Sequence, residues 1–205
     1  MFNTKTNTPF QPMTSIMGID LSLTGTGVVV LDEDSINASK LIKSKPTAEK
    51  TTLDEIERLL KIKADIMMLI EQHKPLLVLI EGLAFMAKNT TALVQLAGLN
   101  YMIREYLAIR KIPFVIVAPT TLKKFIIGKG VGQKDLMLLE TYKKYGVSFI
   151  DDNLCDAFAL ASVGVALKGE NKKPLAKYQV EVLQVLNDQY EKAANYTEKQ
   201  AAPVR

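Results

Sequence analysis

The chain has 205 residues, 48% of them apolar, with one cysteine, one histidine, a formal net charge of +4 and a pI of about 9.0. That supplies one filled core plus an extra segment, and it excludes a disulfide-built fold, a membrane span of ~20 apolar residues and any Ser-His-Asp or Cys-His set beyond one His and one Cys. The mild basicity permits a nucleic-acid partner without establishing one, and the lone Cys155 reads as a cytoplasmic protein.

Residues 1–14 are rich in Thr, Asn, Pro and Gln with no apolar h-region, so they read as a loose tail and not a signal peptide. Ile16–Leu21 is a short apolar run broken by one acid, Asp20. Thr24-Gly-Thr-Gly27 reads as a tight turn and Gly27–Asp32 as a second strand. An aspartate in a buried strand is costly to desolvate unless a cation or a hydrogen-bond donor meets it. Two readings compete: an acid capped by the amides of the Gly-rich turn, or a metal- or phosphate-facing carboxylate that needs partner acids elsewhere. Ile36–Ser44 alternates weakly and reads as a third, edge strand, with Lys43, Lys45 and Pro46 discouraging further pairing.

Thr52 is the candidate N-cap of a helix running to about Gln72, with Glu55 as its capping-box partner and Leu53, Ile56, Leu59, Leu60, Met67 and Ile70 on one stripe. His73 at its end reads as a residue complementing the helix dipole. Pro75–Glu81 is a near-continuous apolar run, as in a parallel strand buried on both faces, and it ends in a second acid, Glu81, followed by glycine. Ligands gather at the carboxyl ends of such strands. Leu83–Asn89 is a loop carrying Phe85, Met86 and Lys88. An aromatic ring and a thioether beside a cation suit stacking on a base, although Phe85 closing the core is the equal alternative.

Thr90–Arg110 reads as a long helix with so little polar surface that it needs two partners, the sheet and a second subunit. Ile112–Ala118 is a strand, Pro119–Ile127 a short helix, Gly128–Gly132 a flexible turn without the Gly-Lys-Ser/Thr of a P-loop, and Gln133–Tyr145 a helix. From Arg104 to Lys144 nine basic residues, among them Lys123, Lys124, Lys129 and Lys134, stand against three acids. This local excess favours phosphate binding over a merely solvated face. Asp151-Asp-Asn-Leu-Cys-Asp156 leads into a final core helix ending near Leu167. Asn153 and Asp156 share a helix face, as do Asp152 and Asp156. Pro174–Ala194 reads as an amphipathic add-on helix with a frayed tail from Asn195.

Three meandering strands followed by two strands joined through helical crossovers is the order of an RNase H-like fold, a mixed five-stranded sheet flanked by helices. The expected divisions are a flexible tail (1–14), a nuclease domain (15–168) and a helical extension (169–205). Acids at the ends of two strands and at the last core helix suit Mg²⁺ or Mn²⁺, and two such ions serve phosphodiester hydrolysis.

Gly18-Ile-Asp20 with the Thr24–Gly27 segment, Ile80-Glu81 with Phe85-Met-Ala-Lys-Asn89, Lys123 and Lys134 around Gly128–Gly132, and Asp156-Ala-Phe-Ala-Leu-Ala together resemble the RuvC Holliday junction resolvases, of the phage type. The likeness runs from about Met17 to Leu167. It implies a homodimer that nicks four-way DNA junctions symmetrically, with two metal ions per active site. It further implies Asp20, Glu81 and Asp156 as metal ligands, Phe85 as a wedge in the junction, and Lys123 and Lys134 on phosphates. Catalysis is assigned to Asp20, Glu81, Asn153 and Asp156, metal binding also to Asp152, and DNA contact to Phe85, Met86, Lys88, Lys123, Lys124, Lys129 and Lys134.

One position departs from the pattern: the first acid of the family's Asp-x-x-Asp is Asn153, a neutral and weaker ligand. Either Asp151 or Asp152 compensates, or the site is catalytically impaired, or the chain binds junctions without cutting them. If the site is impaired, Asn153→Asp raises cleavage by an order of magnitude or more. The Gly-Ile-Asp and Thr-Gly-Thr-Gly strings also resemble the phosphate loop of actin-like ATPases and sugar kinases. In that reading Glu81 and the lysine-rich segment have no clear place.

Overall fold

The computed structural model describes residues 15–46, 51–83, 90–132 and 134–201. Its elements are β1 (Ser15–Asp20), β2 (Gly25–Asp32), β3 (Ser35–Lys43), α1 (Thr52–His73), β4 (Leu77–Glu81), α2 (Thr90–Ile109), β5 (Phe114–Val117), α3 (Pro119–Ile127), α4 (Lys134–Tyr145), α5 (Asp152–Leu167) and α6 (Lys177–Ala201). One sheet runs β3-β2-β1-β4-β5. β3, β2 and β1 pair antiparallel, and β1, β4 and β5 pair parallel.

The pleat sorts the strand side chains onto two apolar layers. Ile16, Leu77, Leu79, Val115 and Val117 pack with α5, α3 and α6 on one face. Met17, Ile19, Val78 and Ile80 pack with Ile62, Ile66, Leu99 and Ile103 of α1 and α2 on the other. Helix α5 is buried without a break from Ala157 to Ala166, as its all-round apolar sequence requires.

Backbone lies on backbone where α5 crosses β1 and β2. A Cβ on Gly18 would sit 2.0 Å from the Ala157 carbonyl oxygen, and one on Gly27 would sit 2.1 Å from the Asn153 carbonyl oxygen. These glycines therefore answer a close approach and not a turn. Gly25 and Gly27 are inside β2, and the turn falls earlier, at Leu21–Thr24. That turn is tied by Thr26: its hydroxyl donates to the Ser22 carbonyl at 2.8 Å and accepts from the Ser22 amide at 3.1 Å. Arg58 of α1 donates to the Leu23 carbonyl and, at 2.8 Å, to the Ser44 hydroxyl.

Helix boundaries also move from the sequence reading. The capping box of α1 is one residue earlier, Thr51 with Asp54 in place of Thr52 with Glu55. Both pairs fit the spacing, and only the first faces the correct amides. The last helix begins at Lys177 and runs to Ala201, past the expected fraying point at Asn195. It is not a loose addition either, since Val182 and Leu186 are 2% exposed within the α5 layer.

Candidate active site

Asp20 and Glu81 end adjacent parallel strands, one position past the paired residues Ile19 and Ile80. Residues 16, 18 and 20 share a parity, as do 77, 79 and 81, so both acids face α5. Asp20 is 7% exposed. Its carboxyl group is hydrogen-bonded to that of Glu81, and Glu81 is pushed up to about 7. Burial is the largest cause and the charge of Asp156, in the second turn of α5, the next, while the Asp20 hydrogen bond and Lys123 pull the other way. A carboxyl pushed up by burial and a neighbouring acid marks a site with much negative charge in a low dielectric.

Asn153 lies in the first turn of α5, its backbone carbonyl against Gly27, the residue paired with Asp20. Asp151 is the N-cap: one oxygen accepts from the Asn153 amide N–H at 2.9 Å and from Asn153 Nδ2 at 3.1 Å. Asp152 opens the helix and its charge reaches Cys155. That thiol is buried, bonded to Thr141 at 3.4 Å and pushed up to about 11, which removes it as a nucleophile at neutral pH.

The basic residues divide. Lys123 acts on Glu81, so it belongs to the acidic cleft. Lys124, one residue on, points to the other side of α3 and pairs with Glu181 of α6 at 2.8 Å. Lys129 is exposed in the turn after α3. Phe85, Met86 and Lys88 lie outside the described residues, as does the side chain of Lys134.

The sequence reading passed over Arg58 and Thr26, which brace the turn after Asp20, and Asn100. Asn100 is fully buried, and its Nδ2 donates to the Glu81 carbonyl at 3.5 Å. A lone asparagine in the middle of an apolar helix was the available signal.

As a donor set, Asp20, Glu81 and Asp156 with the Asn153 oxygen suit a hard divalent cation. Among the described residues, no three His, Cys, Asp or Glu side chains have closed to metal-holding spacing.

An RNase H-like sheet with acids at the ends of β1 and β4 and in α5 defines the class: a nuclease of the metal-dependent kind. The model of the family "Crossover junction endodeoxyribonuclease RuvC" matches residues 16–163. A protein of that name from Prochlorococcus marinus (strain NATL2A) is 30% identical over 158 residues, covering 75% of this chain and 99% of the relative. Thermus thermophilus RuvC in complex with Holliday junction substrate superposes with a TM-score of 0.64 at 19% identity, over 79% of this chain and 99% of that one. The yeast mitochondrial Holliday junction resolvase Ydc2 superposes with a TM-score of 0.53 at 15% identity, over 94% and 86%.

The chain belongs to the RuvC family of crossover junction endodeoxyribonucleases, divalent-metal-dependent Holliday junction resolvases. That membership sets aside the actin-like ATP-binding alternative.

Proposed function

We propose that this chain works as a homodimer that binds four-way DNA junctions and nicks two strands symmetrically. Asp20, Glu81, Asn153 and Asp156 form the catalytic set. Asp20, Glu81 and Asp156 hold Mg²⁺ or Mn²⁺, two ions per site, with Asp152 alongside. The observation that carries this reading is the hydrogen-bonded Asp20–Glu81 pair at adjacent strand ends, close to the charge of Asp156.

Bound ions supply a water that is nucleophilic at neutral pH and neutralise charge on the leaving oxygen. The chain's own part is to hold oxygens in place. Two strand ends joined in register fix Asp20 and Glu81, and the backbone contact of α5 with Gly18 and Gly27 fixes the height of Asn153 and Asp156 above them. Lys123 meets a phosphate beside Glu81. Lys134 meets a phosphate and Phe85 wedges into the junction, as the family resemblance implies, while Lys129 extends the basic track and Met86 and Lys88 suit contact with a base beside Phe85. Lys124 gives its charge to Glu181 first and contributes less. The cytoplasm is the expected place of work.

The test is binding and cleavage of a four-way junction with Mg²⁺ or Mn²⁺, with linear duplex of the same sequence as control. Junction binding in EDTA, and paired nicks once metal is added, are expected. Equal cutting of duplex defeats the reading. Tight junction binding with no cutting in either metal leaves a non-cleaving junction binder.

A further inference from the structure

Position 153 carries an amide where the Asp-x-x-Asp pattern has an acid, and the contact it makes says how the amide is used. Asp151 Oδ1 lies 2.9 Å from the Asn153 backbone nitrogen and 3.1 Å from Asn153 Nδ2. A carboxylate only accepts hydrogen bonds, so the atom of the Asn153 amide that faces it must be the nitrogen. The two ends of the planar amide point apart, so with Nδ2 turned to Asp151 the Oδ1 end is directed away from it.

We infer that Asp151 is a positioning residue that turns the Asn153 amide so that its oxygen, and not its NH₂, faces the metal site. The inference rests on the metal-site reading of Asp20, Glu81 and Asp156. In this arrangement the neutral oxygen of Asn153 serves as ligand, and Asp151 supplies nearby the negative charge that the amide lacks. The pair replaces a single aspartate. Without Asp151 the amide is free to flip, and half of its orientations present a donor to a cation.

The contact also revises the expectation for Asn153→Asp. That change alone would set two carboxylate oxygens near the 3.1 Å now spanned by an N–H···O bond, and like charges so close oppose one another. Cleavage and metal affinity gain little from Asn153→Asp by itself. They gain when Asp151→Ser accompanies it.

The test is a double-mutant cycle read as Mn²⁺ affinity, from the electron paramagnetic resonance signal of free Mn²⁺ at pH 8 without DNA. The cycle compares the parent, Asp151→Ser, Asn153→Ala and the double variant. Serine and asparagine are both good N-caps, so α5 keeps its start, and melting curves check that it does. Asp151→Ser should weaken Mn²⁺ binding about tenfold in the parent, the usual scale for a residue that orients a ligand. It should weaken it less than about threefold when Asn153 is already alanine. Asp151→Asn, which keeps an oxygen to accept from Nδ2 and loses the charge, should recover part of the affinity.

Equal losses in both backgrounds would make Asp151 a plain cap or a distant charge, and overturn the inference. No loss in the parent would do the same. Asp20→Asn separates the layers. Mn²⁺ binding that ignores Asp20→Asn overturns the metal-site reading and this inference with it. Binding that responds to Asp20→Asn, with an additive cycle, overturns this inference alone.

Discussion

Glu81 keeps its proton to about pH 7 against an ordinary value of 4.5, and this sets two pH dependences of opposite sense. In EDTA the folded chain binds a proton that the unfolded chain releases between those values. The contribution of Glu81 to stability is therefore greater at pH 4.5 than at pH 7 and falls as pH rises through that window. A divalent ion must displace the same proton, so its affinity rises with pH, up to tenfold per unit, and levels off above about 7. Calorimetric melts in EDTA and Mn²⁺ titrations over pH 5–8 check both, and Glu81→Gln should flatten the first.

At the same scale, Gly27→Ala brings a methyl to 2.1 Å from the Asn153 carbonyl oxygen. It should displace the first turn of α5, cost ~1–3 kcal/mol as overpacking does, and abolish cutting. Gly98→Ala in α2 meets nothing nearer than Leu59 Cδ1 at 3.9 Å. It should raise stability by ~0.5–1 kcal/mol. Denaturant titration of both variants reads the contrast.

At the scale of elements, α2 buries Leu99, Ile103 and Leu107 on the sheet yet leaves Val94 65%, Tyr101 66% and Ile109 69% exposed along the side away from it. This stripe is our candidate dimer seam. Val94→Glu with Tyr101→Glu should turn a sedimenting dimer into a folded monomer at micromolar concentration, and an unchanged sedimentation coefficient would move the seam elsewhere.

Helix α6 is tied to the turn region: the Tyr178 ring lies 3.5 Å from a Cβ built on Gly128, and Glu181 holds Lys124. Glu181→Gln should free that lysine and tighten junction binding at low salt, whereas Leu186→Ala should cost ~2–5 kcal/mol of stability. Neither tie was legible in the sequence. An amphipathic pattern states that a helix has an apolar face and leaves open which surface the face meets. The pair Lys124–Glu181 joins residues far apart in the chain. By contrast, the strand ends Asp20 and Glu81 were legible because period-2 parity and continuous apolar runs are local.

Over the whole molecule, a mild net charge of +4 conceals a division of labour. Lys123 sits at the acid cleft while Lys124 is spent on α6. Lys123→Ala should lower the salt slope of junction binding by about one phosphate contact, and Lys124→Ala by less. Equal slopes would show both to be ordinary surface charges. The order of strands and helices along the chain was readable from the succession of apolar runs. The start of β2 was not, because glycine weakens a strand pattern, and Gly27 stands there for the sake of a helix that comes much later in the chain.

That contact between α5 and the first two strands has a consequence in time. Asp20 emerges from the ribosome well before Asp156. At ~5–20 residues per second, several seconds separate them. Until α5 arrives, Gly18 and Gly27 lack the helix they pack against, the apolar underside of β1 is bare, and the proposed metal site is incomplete. The nascent chain is thus a nuclease that cannot act early. Ribosome-bound chains ending at residue 150 should be readily proteolysed and bind no Mn²⁺, while chains with α6 through Ala201 clear of the exit tunnel should resist protease in one step.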